Sequence, residues 1–382
     1  MKAFQLLIFF SFISSSYFSY SQGLDSPVKI PEKKQVKYLD FRFENGAMLS
    51  NDTEIGDQLV NSSYYNGIDV RLSFRNNNPY DVYSNVYRRP YIGLGWYSST
   101  FHNTDVGSPN ALYFFLTIPI RFEKEKRFTS SYTAAFGLSY NFNPYDSINN
   151  PSNIFIGSYK NCYLHLGYVL NYKLNKKWAI NGTIGFKHFS NGSFKQPNYG
   201  INLLPVTMGV SYRFANDGIV QTAKAIPDYQ KHNLVNVTFT AGSKNYEIGE
   251  ENYLKTVYGV NFLRQINYKY RIGIGMDLFY AAQSDLRNSS DASEFSKSYS
   301  YAIVGSWEWA LTKNLYVPIG IGFYLHRNKE NGESTVYYER IGLRYRFADH
   351  YTAGLTIKAH QAVADIFEWT IGYTFHNDPN KY

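Results

Sequence analysis

Within Phe186-Lys187-His188-Phe189-Ser190-Asn191, an imidazole and a hydroxyl stand two residues apart at the end of an alternating apolar segment. Side chains two apart in an extended strand share a face, so His188 and Ser190 are neighbours. A serine needs such a base to become a nucleophile at neutral pH. Read backwards, His188 shares its face with Trp178, Ile180, Gly182, Ile184 and Phe186, while Ala179, Asn181, Thr183, Gly185 and Lys187 take the other. The pair therefore lies on the apolar side. In the next segment Leu204, Val206, Met208, Val210, Tyr212 and Phe214 repeat an apolar face, and Asn202 has its parity. If these strands wall a membrane barrel, that face meets lipid and the substrate is a lipid. Polar groups are costly on such a surface and mark function there; the plainer alternative is that headgroups wet them at the membrane rim.

The rest of the chain suits that setting. Thirty-seven Tyr, 28 Phe and 28 Gly accompany a mean hydropathy of -0.37, with no apolar run after the first residues long enough for a spanning helix. An outer-membrane β-barrel has this composition, with alternating strands and aromatic girdles. Met1-Lys2, the apolar stretch Ala3 to Phe18 and Ser19-Tyr20-Ser21 read as a secretory signal over 1–21. The formal charge of +8 comes without a basic run or a base-stacking motif, so anionic lipopolysaccharide phosphates are the expected counter-charge and nucleic acid is not. Cys162 is the only cysteine, which excludes an internal disulfide and a cysteine-rich metal site, and is expected to be a spectator thiol. The eight His show no metal-binding spacing, so neither metal nor cofactor is expected.

Strand-like segments fall near 36–44, 67–75, 90–98, 112–122, 130–141, 160–173, 178–188 and 203–214. After a polar connector, 215–232, eight more fall near 233–241, 254–264, 269–281, 299–311, 315–326, 337–347, 351–360 and 366–375. In this second set the connections Gly242 to Asn252, Ala282 to Lys297 and Asn328 to Val336 are long, and those near Asn267, Lys313 and His350 are short. Barrels have long outer loops and short periplasmic turns. With the chain starting in the periplasm, the loop from Phe189 to Ile201 is on the outer side and the pair sits at outer-leaflet depth.

The run from His188 through Ser190-Asn191 and Lys195-Gln196-Pro197-Asn198-Tyr199-Gly200-Ile201 to Asn202 closely resembles the active-site loop of the lipid A 3-O-deacylases, within the acyloxyacyl hydrolase family of outer-membrane β-barrels. The specific match covers about fifteen residues, with weaker barrel-like similarity over the first half. The resemblance implies an eight-stranded barrel in the cell outer membrane, whose exterior Ser-His-Glu triad removes an ester-linked acyl chain from lipid A. Carried over by position, Ser190 is the nucleophile and His188 the general base, and Asn191 and Asn198 stabilise the oxyanion. The acidic member falls on Asn202, which carries no charge; an amide still fixes the imidazole tautomer, as in Cys-His-Asn enzymes. Lys195 reads as a contact to lipid phosphate or sugar, while Pro197 and Gly200 set turns.

The expected fold is all-β: a deacylase-like barrel half over 22–214, then a second half over 233–382 without catalytic residues. Two closed eight-stranded units or one barrel of about 16 strands around an aqueous channel both fit. In the second half, Gly354 to His360 echoes the spacing of Gly182 to His188, but Ala362 stands where a serine would be. His360 and Glu368 fall on the polar face and are expected to point into a lumen, where they could pair. Against the esterase stand a pore or transporter and a catalytically silent lipid-binding barrel.

Overall fold

The computed structural model of the chain describes residues 35–122, 126–214, 226–281, 298–329 and 331–380. The expected signal over 1–21 and most of the connector lie outside them. Eight strands form the first sheet: β1 (Gln35–Leu49), β2 (Asn66–Asn76), β3 (Tyr91–Thr100), β4 (Gly107–Pro119), β5 (Phe128–Phe142), β6 (Asn161–Lys173), β7 (Trp178–Ser190) and β8 (Ile201–Arg213). Neighbours in sequence pair antiparallel, and β8 returns to β1, with Leu49 opposite Asn202 and Tyr38 opposite Arg213, closing the barrel.

The second sheet runs β9 (His232–Lys244), β10 (Tyr253–Gln265), β11 (Tyr270–Ala281), β12 (Tyr299–Ala310), β13 (Leu315–His326), β14 (Tyr337–Phe347), β15 (Tyr351–His360) and β16 (Val363–His376). It closes when β16 pairs with β9. Two closed eight-stranded barrels therefore form, not one barrel of 16 strands. Two short helices break the all-strand expectation in the first unit, α1 (Glu54–Asn61) and α2 (Val82–Val86). Each has a polar cap that the alternation of strands concealed: Thr53 Oγ1 accepts from the Gly56 N–H at 3.1 Å, and Asp81 Oδ1 from the Ser84 N–H at 2.6 Å.

Strand parity sorts the residues as the alternation requires. Outward positions of the first barrel are apolar, Phe114 being 72% and Ile184 60% exposed. Inward positions are mostly aromatic, charged, small polar or alanine, and they fill the lumen as expected for eight strands. Tyr113, Tyr163 and Phe189 pack in sequence, with centroids 4.9 and 5.5 Å apart. Lys187 and Glu44 form a fully buried ion pair at 2.5 Å, with the ammonium 3.6 Å from the Tyr97 ring centre. The Tyr97 hydroxyl donates to Glu44 at 3.0 Å, and Arg71 spans from Asp69 at 2.9 Å to His165 Nδ1 at 3.2 Å. The first lumen is thus packed, not an open channel.

The second lumen holds ion pairs in layers. Toward the ends of β10 and β15, Lys255 reaches Glu333 at 3.0 Å and Asp365 at 3.3 Å, and Lys358 reaches Asp365 at 2.9 Å and also pairs with Glu333. Burial alone raises the pKa of Glu333, but the two ammonium groups outweigh it and hold this loop carboxyl well below its usual range. Below this layer Arg340 binds Glu368 at 2.7 Å and also pairs with Asp277. His360 and Glu368 both face the lumen but do not pair. His360 Nε2 lies 3.2 Å from the Tyr324 hydroxyl and 3.4 Å from Glu333, while Glu368 is held by Arg340 and Thr356. Long-range pairing, invisible in the local spacing, chooses these partners.

Candidate active site

The antiparallel register of β7 and β8 sets His188 directly opposite Asn202. Both strands run further than the alternation suggested, since Phe189 still pairs with Ile201, so Ser190 and Asn202 stand on strand ends and not in a loop. The imidazole bridges the other two groups: Nε2 lies 2.8 Å from Ser190 Oγ and Nδ1 lies 2.7 Å from Asn202 Oδ1. An amide oxygen only accepts, so Nδ1 carries the proton and Nε2 is left to accept from the serine hydroxyl. That is the tautomer a general base requires.

All three residues have outward parity, alongside the apolar belt. Phe186, one step down the same face, stacks within 6.5 Å of the His188 ring, and Leu164 is its cross-strand neighbour on β6. Ser190 is only 3% exposed. Its cross-strand neighbour is Cys162, which the sequence left as a spectator and which the register sets beside the nucleophile.

The loop from Asn191 to Gly200 is held by specific bonds. Asn191 Nδ2 donates to Ser158 Oγ at 2.9 Å and to the Lys195 carbonyl at 2.8 Å, its Oδ1 accepts from the Lys195 N–H at 3.3 Å, and its own N–H donates to Asn198 Oδ1 at 2.9 Å. The Asn191 donors expected to face an oxyanion are therefore committed to the loop. The same bond to the Asn191 N–H orients the Asn198 amide. Lys195 is exposed. Gly200 donates its N–H to the Phe155 carbonyl at 2.8 Å and has φ +77°. A Cβ there would stand 2.6 Å from His188 Cε1, so Gly200 both makes the turn and leaves space for the imidazole. The first of these roles was legible; the second, and the brace from Ser158 on the preceding loop, were not.

A group missed in sequence lies in the second barrel, where ligand atoms of Glu333, His360 and Asp365 come within 4.8 Å of one another. Their carboxylates already face the ammonium groups of Lys255 and Lys358, which take the place a cation would have.

The fold is that of outer-membrane β-barrels, two closed rings of eight antiparallel strands. Two family descriptions match the chain: lipid A 3-O-deacylase (PagL) over residues 68–211, and acyloxyacyl hydrolase, C-terminal domain, over residues 233–377. The chain belongs to this lipid A deacylase and acyloxyacyl hydrolase family and is a protein of the outer membrane. No individual curated protein matches it. Among solved structures it is similar to an outer membrane channel from Pseudomonas putida F1 (10% identity, 93% of this chain and 100% of that one, TM-score 0.18) and to the outer membrane protein Omp33 of Acinetobacter baumannii (6%, 90% and 100%, 0.17). A third is the translocator domain of the autotransporter NalP from Neisseria meningitidis (8%, 91% and 90%, 0.19). At these TM-scores none of the three likenesses carries an argument.

Proposed function

We propose that the chain is a serine esterase that removes an ester-linked acyl chain from lipid A or a closely related glycolipid of the outer leaflet. The observation that carries this reading is the pair of hydrogen bonds joining Ser190, His188 and Asn202 on the lipid-facing side of the first barrel. Substrate reaches Ser190 laterally from the leaflet. Ser190 Oγ attacks the ester carbonyl while His188 Nε2 takes its proton, and the negative oxygen is met by Asn198 Nδ2. The imidazolium returns the proton to the departing sugar oxygen, leaving an acyl-serine. Water, deprotonated by the same imidazole, releases the fatty acid and restores Ser190. Asn202 holds the tautomer, Asn191 holds the loop that carries Asn198, and exposed Lys195 is the contact to a lipid phosphate or sugar.

Residues 1–21 are then a cleaved signal, 22–214 the catalytic barrel, 215–232 a connector and 233–382 a second barrel without catalytic groups. The packed first lumen favours this reading over a pore through that barrel. The test is mass spectrometry of lipid A from outer membranes carrying either the wild-type chain or Ser190→Ala at matched folded abundance. The expected result is loss of one acyl mass with wild type alone; identical lipid A from both would refute deacylation of this substrate.

A further inference from the structure

At the short-turn end of the second barrel three guanidinium groups converge on one tyrosine. Arg271 and Arg346 lie with their guanidinium carbons 5.0 and 5.8 Å from the Tyr316 ring centre, and Arg344 is the cross-strand partner of Tyr316. Among the described residues one buried carboxylate serves this layer, and it is fully engaged: Glu308 binds Arg271 at 2.8 Å through one oxygen and accepts from Asn236 Nδ2 at 3.0 Å through the other. The half-buried Asp378 stands beside His232, 3.7 Å from its Nδ1, and accepts from Asn380. Arg344 and Arg346, 7% and 5% exposed, are left with buried donors that have no hydrogen-bond partner among the described residues: Nε of Arg344, and Nε and Nη2 of Arg346. The hydroxyl of Thr374, fully buried on β16 at the same short-turn end, where its N–H donates to the His350 carbonyl, is also without a partner among the described residues.

A buried guanidinium with unmatched donors is strongly unfavourable. Two of them at positions 344 and 346 of one strand, on the same face, form a fork that suits a tetrahedral oxyanion. We propose that this end of the second lumen is a binding site for a phosphate-class oxyanion, held by Arg344, Arg346 and Thr374. Short turns of outer-membrane barrels face the periplasm, so the anion enters from that side, either as free phosphate or as the phosphate of a sugar phosphate. A bound dianion supplies acceptors for the unmatched donors and adds to the counter-charge that Glu308 and Asp378 present to Arg346. The site is independent of Ser190 and of any deacylase activity.

The test uses the full chain in detergent, with melting temperature followed against inorganic phosphate, sulfate, glucose 1-phosphate and chloride at equal ionic strength. A saturable rise is expected with phosphate and sulfate but not with chloride; a rise with glucose 1-phosphate as well identifies a sugar phosphate as an accepted source, and its absence restricts the site to the free ion. Isothermal titration should show phosphate affinity falling about tenfold or more in Arg344→Gln and Arg346→Gln, and unchanged in Arg264→Gln, an exposed arginine at the same end. Because an unpaired charge is removed, Arg346→Gln should melt above wild type in chloride and below it in saturating phosphate. Should Arg346→Gln fail to fold, Arg346→Lys, which keeps the charge but loses the fork, must also bind more weakly. A chloride response equal to that of phosphate, or unchanged binding in the arginine variants, overturns the proposal.

Discussion

Changing Asn202 to Asp should make the enzyme faster, and the size of the gain follows from one hydrogen bond. Asn202 Oδ1 accepts the Nδ1 proton at 2.7 Å, so it already fixes the tautomer and orientation of His188. What it lacks is charge. As Ser190 is deprotonated an imidazolium forms, and a bond from a cation to a carboxylate is worth roughly 1.5–3 kcal/mol against roughly 0.5–1.5 for a neutral pair. A difference of about 1 kcal/mol, expressed only in the transition state, corresponds to about fivefold in kcat. Truncation by Asn202→Ala removes the bond altogether and frees the ring, so a loss of about tenfold is expected, while Ser190→Ala removes the nucleophile. The assay is release of fatty acid from purified lipid A in mixed micelles, normalised to folded protein by the electrophoretic shift of unheated samples. If Asn202→Ala hydrolyses lipid A as fast as wild type, the amide is not the third member of the triad. If Asn202→Asp folds and binds substrate but is no faster than wild type, the electrostatic part of the reasoning fails.

Two other substitutions test the scaffold. Gly200→Ala places a Cβ 2.6 Å from His188 Cε1 at φ +77°, where an L side chain costs about 1–2 kcal/mol; kcat should fall about tenfold as the ring is displaced, with folded yield little changed, and unaltered kcat would show that the ring does not need this space. Lys187→Met should destabilise the first barrel by about 3–5 kcal/mol in denaturant titrations, because it strands buried Glu44, and the double variant with Glu44→Gln should recover much of that loss; equal stability of the single and double variants would contradict the pairing.

What could be read from the sequence was what depends on period two. Alternation places sixteen strands and sorts their faces, and it puts His188, Ser190 and Asn202 on one apolar surface. The closure of two rings was open, because each strand's alternation is the same whether β8 pairs with β1 or with β9. The helices were missed because each lies in a connection and is announced only by a cap, Thr53 or Asp81. At Ala348-Asp349 and Gln361-Ala362, pairs of non-glycine residues take positive φ in tight hairpins, without the Asn-Gly signature such turns usually carry. The partners of His360 and the commitment of Asn191 to its own loop depend on residues far away in sequence, such as Glu333 and Ser158, and local spacing carries no trace of them.

The position of the charges also bears on why an amide stands in the proposed triad. On β7 the only ionic side chain near the site, Lys187, points into the lumen and is matched there by Glu44, whereas the outward face carries neutral groups alone. Avoidance of a lipid-exposed carboxylate would explain this at the bilayer centre, where an acidic residue costs several kcal/mol. The triad is at the end of its strands, however, and toward the interface that cost falls to about 0–1 kcal/mol. Lipid exposure is therefore too weak a reason for Asn202. In the proposed mechanism the amide leaves the resting site neutral, and the headgroups of an anionic lipid substrate supply negative charge to the imidazolium. On the proposed mechanism the triad depends on its substrate's own surface for part of its electrostatics, and Asn202→Asp is the substitution that removes that dependence.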